Sequence, residues 1–145
     1  GLITKSNSSM TSPIVCILKK DKSIRIVVDF RFLNSQTISD PFPMPDAEHV
    51  MATIGKANII SVFDCTSGYW QLEVKESCRW LTAFVTHGGV YQFNRNAFGL
   101  KNSGAVFVRA VNEILRPIQE FCASFVDDFG VGSMTWSINI KSAQM

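Results

Sequence analysis

An α+β fold is the class this sequence predicts, and three observations point to it. Short runs rich in β-branched and aromatic residues recur along the chain. Helical periodicity is confined to two stretches. The two kinds of element mix without strict βαβ alternation. At 145 residues the chain is the size of one domain and can bury a real core, with eleven phenylalanines to fill it.

The elements follow in order. Gly1 to Ser12 is polar and reads as loop. Pro13 opens the apolar run Ile14 to Leu18, Lys19-Lys20-Asp21-Lys22-Ser23 forms a turn, and Ile24 to Phe30 is a β-branched strand, so the whole predicts a hairpin with a basic tip. Asp40-Pro41-Phe42-Pro43-Met44-Pro45 is extended, because proline disfavours helix in the residue before it. Asp46 caps a short helix running to about Ile54, with Val50, Met51 and Ile54 on one face. Asn58 to Phe63 is a strand that delivers Asp64 at its end. Tyr69 to Val74 and Leu81 to Thr86 read as further strands, and His87-Gly88-Gly89 turns the chain into Val90 to Phe93. Asn102 or Ser103 caps a longer helix whose apolar positions are Phe107, Val111, Ile114 and Leu115, and Pro117 marks its end. A last hairpin carries Asp127-Asp128 near its turn. Residues 134–145 lack an apolar period and read as an irregular or truncated tail.

Composition narrows the function classes. A net charge of +2 is far from the excess of a dedicated nucleic-acid binder, although Lys5, Lys19, Lys20, Lys22, Arg25 and Arg31 gather early in the chain. Cys16, Cys65, Cys78 and Cys122 lack metal-site spacing, and only His49 and His87 could join them, which argues against structural zinc. They read as reduced thiols of an intracellular, cytoplasmic protein. No apolar run reaches transmembrane length and no segment reads as a signal peptide, so no membrane partner is expected. Gly1 in place of Met suggests a piece of a longer chain.

The chemistry concentrates in two places. Asp127 and Asp128 sit side by side in the apolar stretch Phe121 to Val131, where two like charges repel each other and lose hydration. A divalent cation or a turn open to water relieves that cost. Asp64 ends an apolar strand and is followed by the small residues Cys65-Thr66-Ser67-Gly68, whose backbone a ligand could approach closely. By itself Asp64 reads better as a strand-end turn residue than as a ligand. If the three carboxylates meet, they form a hard oxygen site suited to Mg²⁺ or Mn²⁺.

An ordered series of short blocks then carries a family resemblance. Ser12-Pro13, Lys19-Lys20-Asp21, Arg25, Val28-Asp29-Phe30-Arg31 and Leu33-Asn34 lead into Pro41-Phe42-Pro43-Met44-Pro45. Phe63-Asp64, Ser67-Gly68-Tyr69-Trp70-Gln71, Thr82-Ala83-Phe84, Tyr91-Gln92-Phe93, Phe98-Gly99-Leu100 and Phe125-Val126-Asp127-Asp128 follow. Over residues 1–133 the chain resembles the reverse transcriptase of Ty3/gypsy-type LTR retrotransposon Pol polyproteins. The resemblance implies the fingers and palm of a right-hand polymerase, truncated before the thumb, with 134–145 outside the domain. It implies Asp64, Asp127 and Asp128 as catalytic carboxylates and ligands of two Mg²⁺ ions (Mn²⁺ as substitute). It assigns Lys19 and Arg25 to the dNTP triphosphate, Tyr69 to the space under the sugar, and Phe98 and Gly99 to the nucleotide pocket. The implied partners are an RNA or DNA template with its primer, dNTPs, and the remainder of Pol: thumb, connection and RNase H. A virus-like particle is the implied setting for an active element.

The bland alternatives stay beside these roles. Lys19 and Arg25 also fit an ordinary exposed hairpin, Tyr69 a core aromatic on a strand, and Phe98 simple core packing. The chain also departs from the family pattern. Ala97 stands where proline is usual, Gly104 and Val108 replace proline and glutamine, Phe125 replaces tyrosine, and Gly130 and Gly132 weaken a strand that is normally β-branched. Two functions therefore follow from the sequence: an RNA-directed DNA polymerase domain working by two-metal nucleotidyl transfer, or a non-catalytic retroelement remnant that at most binds nucleic acid or protein.

Overall fold

A computed structural model describes residues 1–126 and 128–136. Asp127, and residues 137–145 of the expected tail, lie outside the described residues. The chain divides into two compact units, Gly1–Asp40 with Tyr69–Ser103, and Pro41–Gly68 with Gly104–Met145. Both mix strands and helices, in keeping with the α+β class.

In the first unit, β1 (Ile3–Lys5), β6 (Gly89–Phe93) and β5 (Phe84–Thr86) form an antiparallel sheet in the order β1-β6-β5. A separate hairpin pairs β2 (Ile14–Leu18) with β3 (Ile24–Val28), Ile14 opposite Val28. Its turn is held by Asp21, whose carboxylate accepts from the Ser23 amide at 2.9 Å and the Ser23 hydroxyl at 2.7 Å. Those two bonds, the hydroxyl's first, hold the Asp21 carboxyl below its ordinary range. Helix α1 (Arg31–Gln36) follows, and Arg31 folds back on Asp29 with Nη2 2.6 Å from Oδ2. Phe30 is buried and meets Phe93 edge-on, and Phe84 packs on Phe93 with centroids 5.2 Å apart.

In the second unit, β4 (Ile59–Asp64), β8 (Asp128–Ser133) and β7 (Cys122–Phe125) form an antiparallel sheet with β8 in the middle. Helix α2 (Ala47–Ile54) packs on β7 and β8. Asp46 caps it, accepting from the Glu48 amide at 3.2 Å. Helix α4 (Ser103–Leu115) buries Phe107, Val108 and Val111, and the chain leaves it through a 3₁₀ turn, Arg116–Ile118, that contains Pro117. Cys122 is buried, and desolvation pushes its thiol pKa up.

Several expectations are corrected. The polar N-terminal stretch contains β1, whose side chains are all exposed, so it shows no apolar alternation. Its main chain supplies the pairing to β6. Tyr69 to Val74 is not a strand. Ser67 takes a positive φ of 54°, the chain turns, and Gly68–Gln71 forms one helical turn, α3. Leu81 and Thr82 end a 3₁₀ helix, Glu76–Thr82, and only residues 84–86 are strand. Here the Thr82 hydroxyl accepts from the Phe93 amide at 2.9 Å, so a side chain takes the place of a ladder carbonyl. Met51 and Ile114 are exposed, not buried with their helix faces; Ile114 retains 74 % of its surface.

Gly130 and Gly132 also read differently once folded. An added Cβ at Gly130 would sit 2.6 Å from Ile54 Cδ1, and one at Gly132 would sit 2.9 Å from Ala57 Cβ. Their missing side chains let α2 and the turn after it lie directly on the middle strand.

Candidate active site

Strand β4 ends and β8 begins at the same level of the sheet. Six register pairs run between them, the last being Asp64 opposite Asp128. Directly opposed residues of an antiparallel pair project to the same face with Cβ atoms about 5 Å apart. Both carboxylates are solvent-exposed, and among the described residues neither side chain is hydrogen-bonded or ion-paired. Two like charges so placed repel, and a cation between them reverses the sign of the interaction.

On its other side β8 pairs with β7, Phe125 being opposite Asp128. Val126, a turn residue that follows β7, has φ +56°, a conformation in which a β-branched residue is strained by about 1–3 kcal/mol. The β7–β8 ladder, with Phe125 opposite Asp128, holds it there. The sequence signals this turn poorly, because such turns favour Asn or Gly at that position.

The donor set suits a hard cation. Carboxylate oxygens on one exposed face match Mg²⁺ or Mn²⁺, with no histidine opposite them in the ladder. Among the described residues no three ligating side chains cluster. The third carboxylate expected, Asp127, lies outside them. Gly68 packs against the Phe107 ring, 2.7 Å from where its Cβ would stand, so its smallness serves packing inside this unit. A cavity of about 600 Å³ elsewhere in the unit is lined by Phe42, His49, Arg109, Arg116 and Cys122, and neither Asp64 nor Asp128 faces it.

The remaining expected residues belong to the first unit. Lys19 follows β2 and its amide donates to the Ser23 carbonyl at 2.8 Å, extending the ladder by one step. Arg25 is opposite Ile17, so strand alternation puts Arg25 and Lys19 on one face of the ribbon, and both are exposed. Tyr69 lies on α3, with its ring centroid 5.0 Å from that of Phe98. Phe98 is 42 % exposed, which sets aside the core-packing reading, and its ring also meets Trp70 edge-on at 5.8 Å. Gly99 has φ +90°, which requires glycine.

Two asparagines without an assigned role fasten the chain here, Asn34 the loop at Gly99 and Lys101, and Asn102 the separate segment at Ile38 and Asp40. Asn34 donates through Nδ2 to the Gly99 carbonyl and accepts at Oδ1 from the Lys101 amide, both at 2.8 Å. Asn102 donates to the Ile38 carbonyl at 2.8 Å and accepts from the Asp40 amide at 3.0 Å. Asn34 closes the Leu33-Asn34 block and Asn102 precedes α4, but their partners lie more than sixty residues away in sequence, beyond any local pattern.

Comparison with known proteins defines the class of this domain. The chain belongs to the reverse transcriptase (RNA-dependent DNA polymerase) family, whose profile matches residues 17–142. It is 40 % identical to the retrovirus-related Pol polyprotein of transposon opus and 37 % identical to that of transposon gypsy, both from Drosophila melanogaster, over 100 % and 97 % of this chain. It covers only 15 % and 14 % of those polyproteins. Among solved structures it is similar to foamy viral protease-reverse transcriptase in complex with RNA/DNA hybrid, with a TM-score of 0.88 and 26 % identity over 99 % of this chain and 19 % of that one. The native prototype foamy virus enzyme gives 0.83 at 27 % identity, with the same coverage. The class expected from the ordered blocks is thus the family found, an RNA-directed DNA polymerase domain of retroelement Pol polyproteins. Among the described residues no helix is long and apolar enough to cross a membrane.

Proposed function

We propose that this chain is the fingers and palm part, over residues 1–133, of a polymerase that extends a primer 3′-hydroxyl with dNTPs on an RNA or DNA template. The observation that carries the proposal is the opposed pair Asp64 and Asp128 on one exposed face. With Asp127 they would hold Mg²⁺, or Mn²⁺ in its place. Two such ions, when bound, lower the pKa of an attacking hydroxyl and neutralise charge on a leaving pyrophosphate.

The chain's own residues do the rest. Lys19 offers a point charge and Arg25 a planar fork, two complementary ways to hold triphosphate oxygens. Tyr69 excludes a 2′-hydroxyl by shape and so favours deoxynucleotides. Phe98 and Gly99 line the base and sugar, glycine allowing close approach. The foamy viral relative is described in complex with RNA/DNA hybrid, which supports a template-primer as partner here. The curated relatives are much longer, which supports thumb, connection and RNase H segments as further partners in grip. A cytoplasmic particle is the setting that reading entails.

Primer extension on poly(rA)/oligo(dT) tests it. A polypeptide that includes this chain and its downstream Pol sequence should make DNA with Mg²⁺ or Mn²⁺, and its Asp64→Asn and Asp127→Asn variants should lose at least a hundredfold, on the order of one lost transition-state charge contact. DNA synthesis that survives either substitution refutes the assignment. No synthesis by the unsubstituted polypeptide favours the non-catalytic remnant.

A further inference from the structure

Resting on that polymerase reading, we propose that Asn34 is a positioning residue that sets the nucleotide pocket and its sugar discrimination through the loop 98–101. One carboxamide spans two loop residues. Its Nδ2–H donates to the Gly99 carbonyl at 2.8 Å and its Oδ1 accepts the Lys101 amide at 2.8 Å. A carboxamide carries a donor and an acceptor side by side on one planar group, which is how Asn34 closes on two residues at once.

The clamp acts where the loop is least determined by packing. Gly99 has φ +90° and a Cβ added there would lie 3.7 Å from Phe30 and 4.0 Å from the Val28 carbonyl, so space alone does not fix its backbone. The hydrogen bonds to Asn34 do. Phe98 is the next residue back, and its ring leans on Tyr69 at 5.0 Å and on Trp70 at 5.8 Å. Holding the Gly99 carbonyl therefore holds Phe98, and Phe98 braces the ring assigned to exclude the 2′-hydroxyl. Asn34 itself is anchored: its amide donates to the Phe30 carbonyl at 2.7 Å, and Phe30 is a buried core residue. The path from core to pocket runs Phe30, Asn34, Gly99, Phe98, Tyr69, all within the first unit.

The test uses the longer polypeptide, with steady-state primer extension for dTTP and UTP on poly(rA)/oligo(dT) and a thermal melt of each variant. Asn34→Ala removes both bonds, and Asn34→Asp keeps the acceptor for Lys101 but loses the donor to Gly99. Both should raise the dTTP KM about tenfold with kcat within about twofold, and cut dTTP-over-UTP selectivity by a similar factor. Asn102→Ala deletes two bonds of the same kind that tie residues 38 and 40. It should melt as early as Asn34→Ala yet keep KM and selectivity. Asn34 variants that lower only the melting temperature overturn the proposal, as does an Asn102→Ala variant with the same KM and selectivity changes. Wild-type kinetics in Asn34→Asp also overturn it. An unsubstituted polypeptide that makes no DNA overturns the polymerase reading and this inference with it, whereas an active parent with unmoved Asn34 variants overturns this inference alone.

Discussion

Replacing Gly132 with alanine should destabilise the second unit, although alanine is the better residue for an ordinary strand. The new Cβ would stand 2.9 Å from Ala57 Cβ and 3.3 Å from both Ile54 Cβ and the Ile54 carbonyl oxygen. Carbon contacts are optimal at about 3.5–4.0 Å, so α2 and β8 must part by roughly half an ångström or more. None of the three atoms sits at the end of a side chain that could swing aside. Overpacking of this kind costs about 1–3 kcal/mol, against about 0.4–1 kcal/mol gained by restricting the unfolded chain. The net is a loss of about 1–2 kcal/mol, or about 3–6 °C in Tm for a chain of this size. Gly130→Ala differs, because its one close clash is with a side-chain end, Ile54 Cδ1 at 2.6 Å, and its next neighbour is at an ordinary 3.9 Å. Adding Ile54→Val removes that methyl and should recover part of the loss, a coupling that a double-mutant cycle measures. Urea unfolding followed by tryptophan fluorescence reads all five proteins: the parent, Gly132→Ala, and the two single variants and double variant of the cycle. A Gly132→Ala chain as stable as the parent refutes the close-approach reasoning, and so does a cycle in which Ile54→Val makes Gly130→Ala worse.

Two further outcomes follow from the electrostatics. Asp128→Asn removes one of two like charges facing each other across β4 and β8, and should raise Tm by about a degree or two at low salt, less at high salt, with the parent overtaking it when millimolar Mg²⁺ is added; a melt that ignores both salt and Mg²⁺ counts against a shared cation site. The Arg31 guanidinium, hydrogen-bonded to Asp29, holds that carboxyl below its ordinary range. The stability this gives is present above the unfolded carboxylate pKa of about 3.9 and is lost as pH falls through the lower folded value. Arg31→Gln should bring the Asp29 midpoint back up in a carboxyl NMR titration and flatten the acid limb of stability; an unmoved midpoint contradicts the pairing.

The sequence spoke most clearly where function and local pattern coincide. The hairpin 14–28, the Asp46 cap and the end of α4 before Pro117 all rest on short-range signals and all stand where expected. The sequence leaves open whether Asp64 meets the acidic pair, and the β4–β8 register sets it opposite Asp128. What stayed hidden depends on partners distant in sequence. The strand at Ile3–Lys5 exists because β6 offers an edge, the helical turn at Tyr69 follows a left-handed Ser67, and the glycines of β8 look like defects until α2 is laid on them. Hydrogen bonds such as Asn34 to Gly99 leave no mark on periodicity or composition.

The place of β8 in the middle of its sheet has one more consequence. Main-chain bonds on both edges, to β4 and to β7, set where Asp128 stands relative to Asp64. Main-chain bonds are indifferent to which side chains the strands carry. Substitution along Ile59–Phe63 or Phe129–Ser133 therefore spends stability first and carboxylate spacing last. The unit behaves as a caliper whose jaws keep their gap while the handle is recast, and a variant can lose degrees of Tm long before it loses the geometry at its tip.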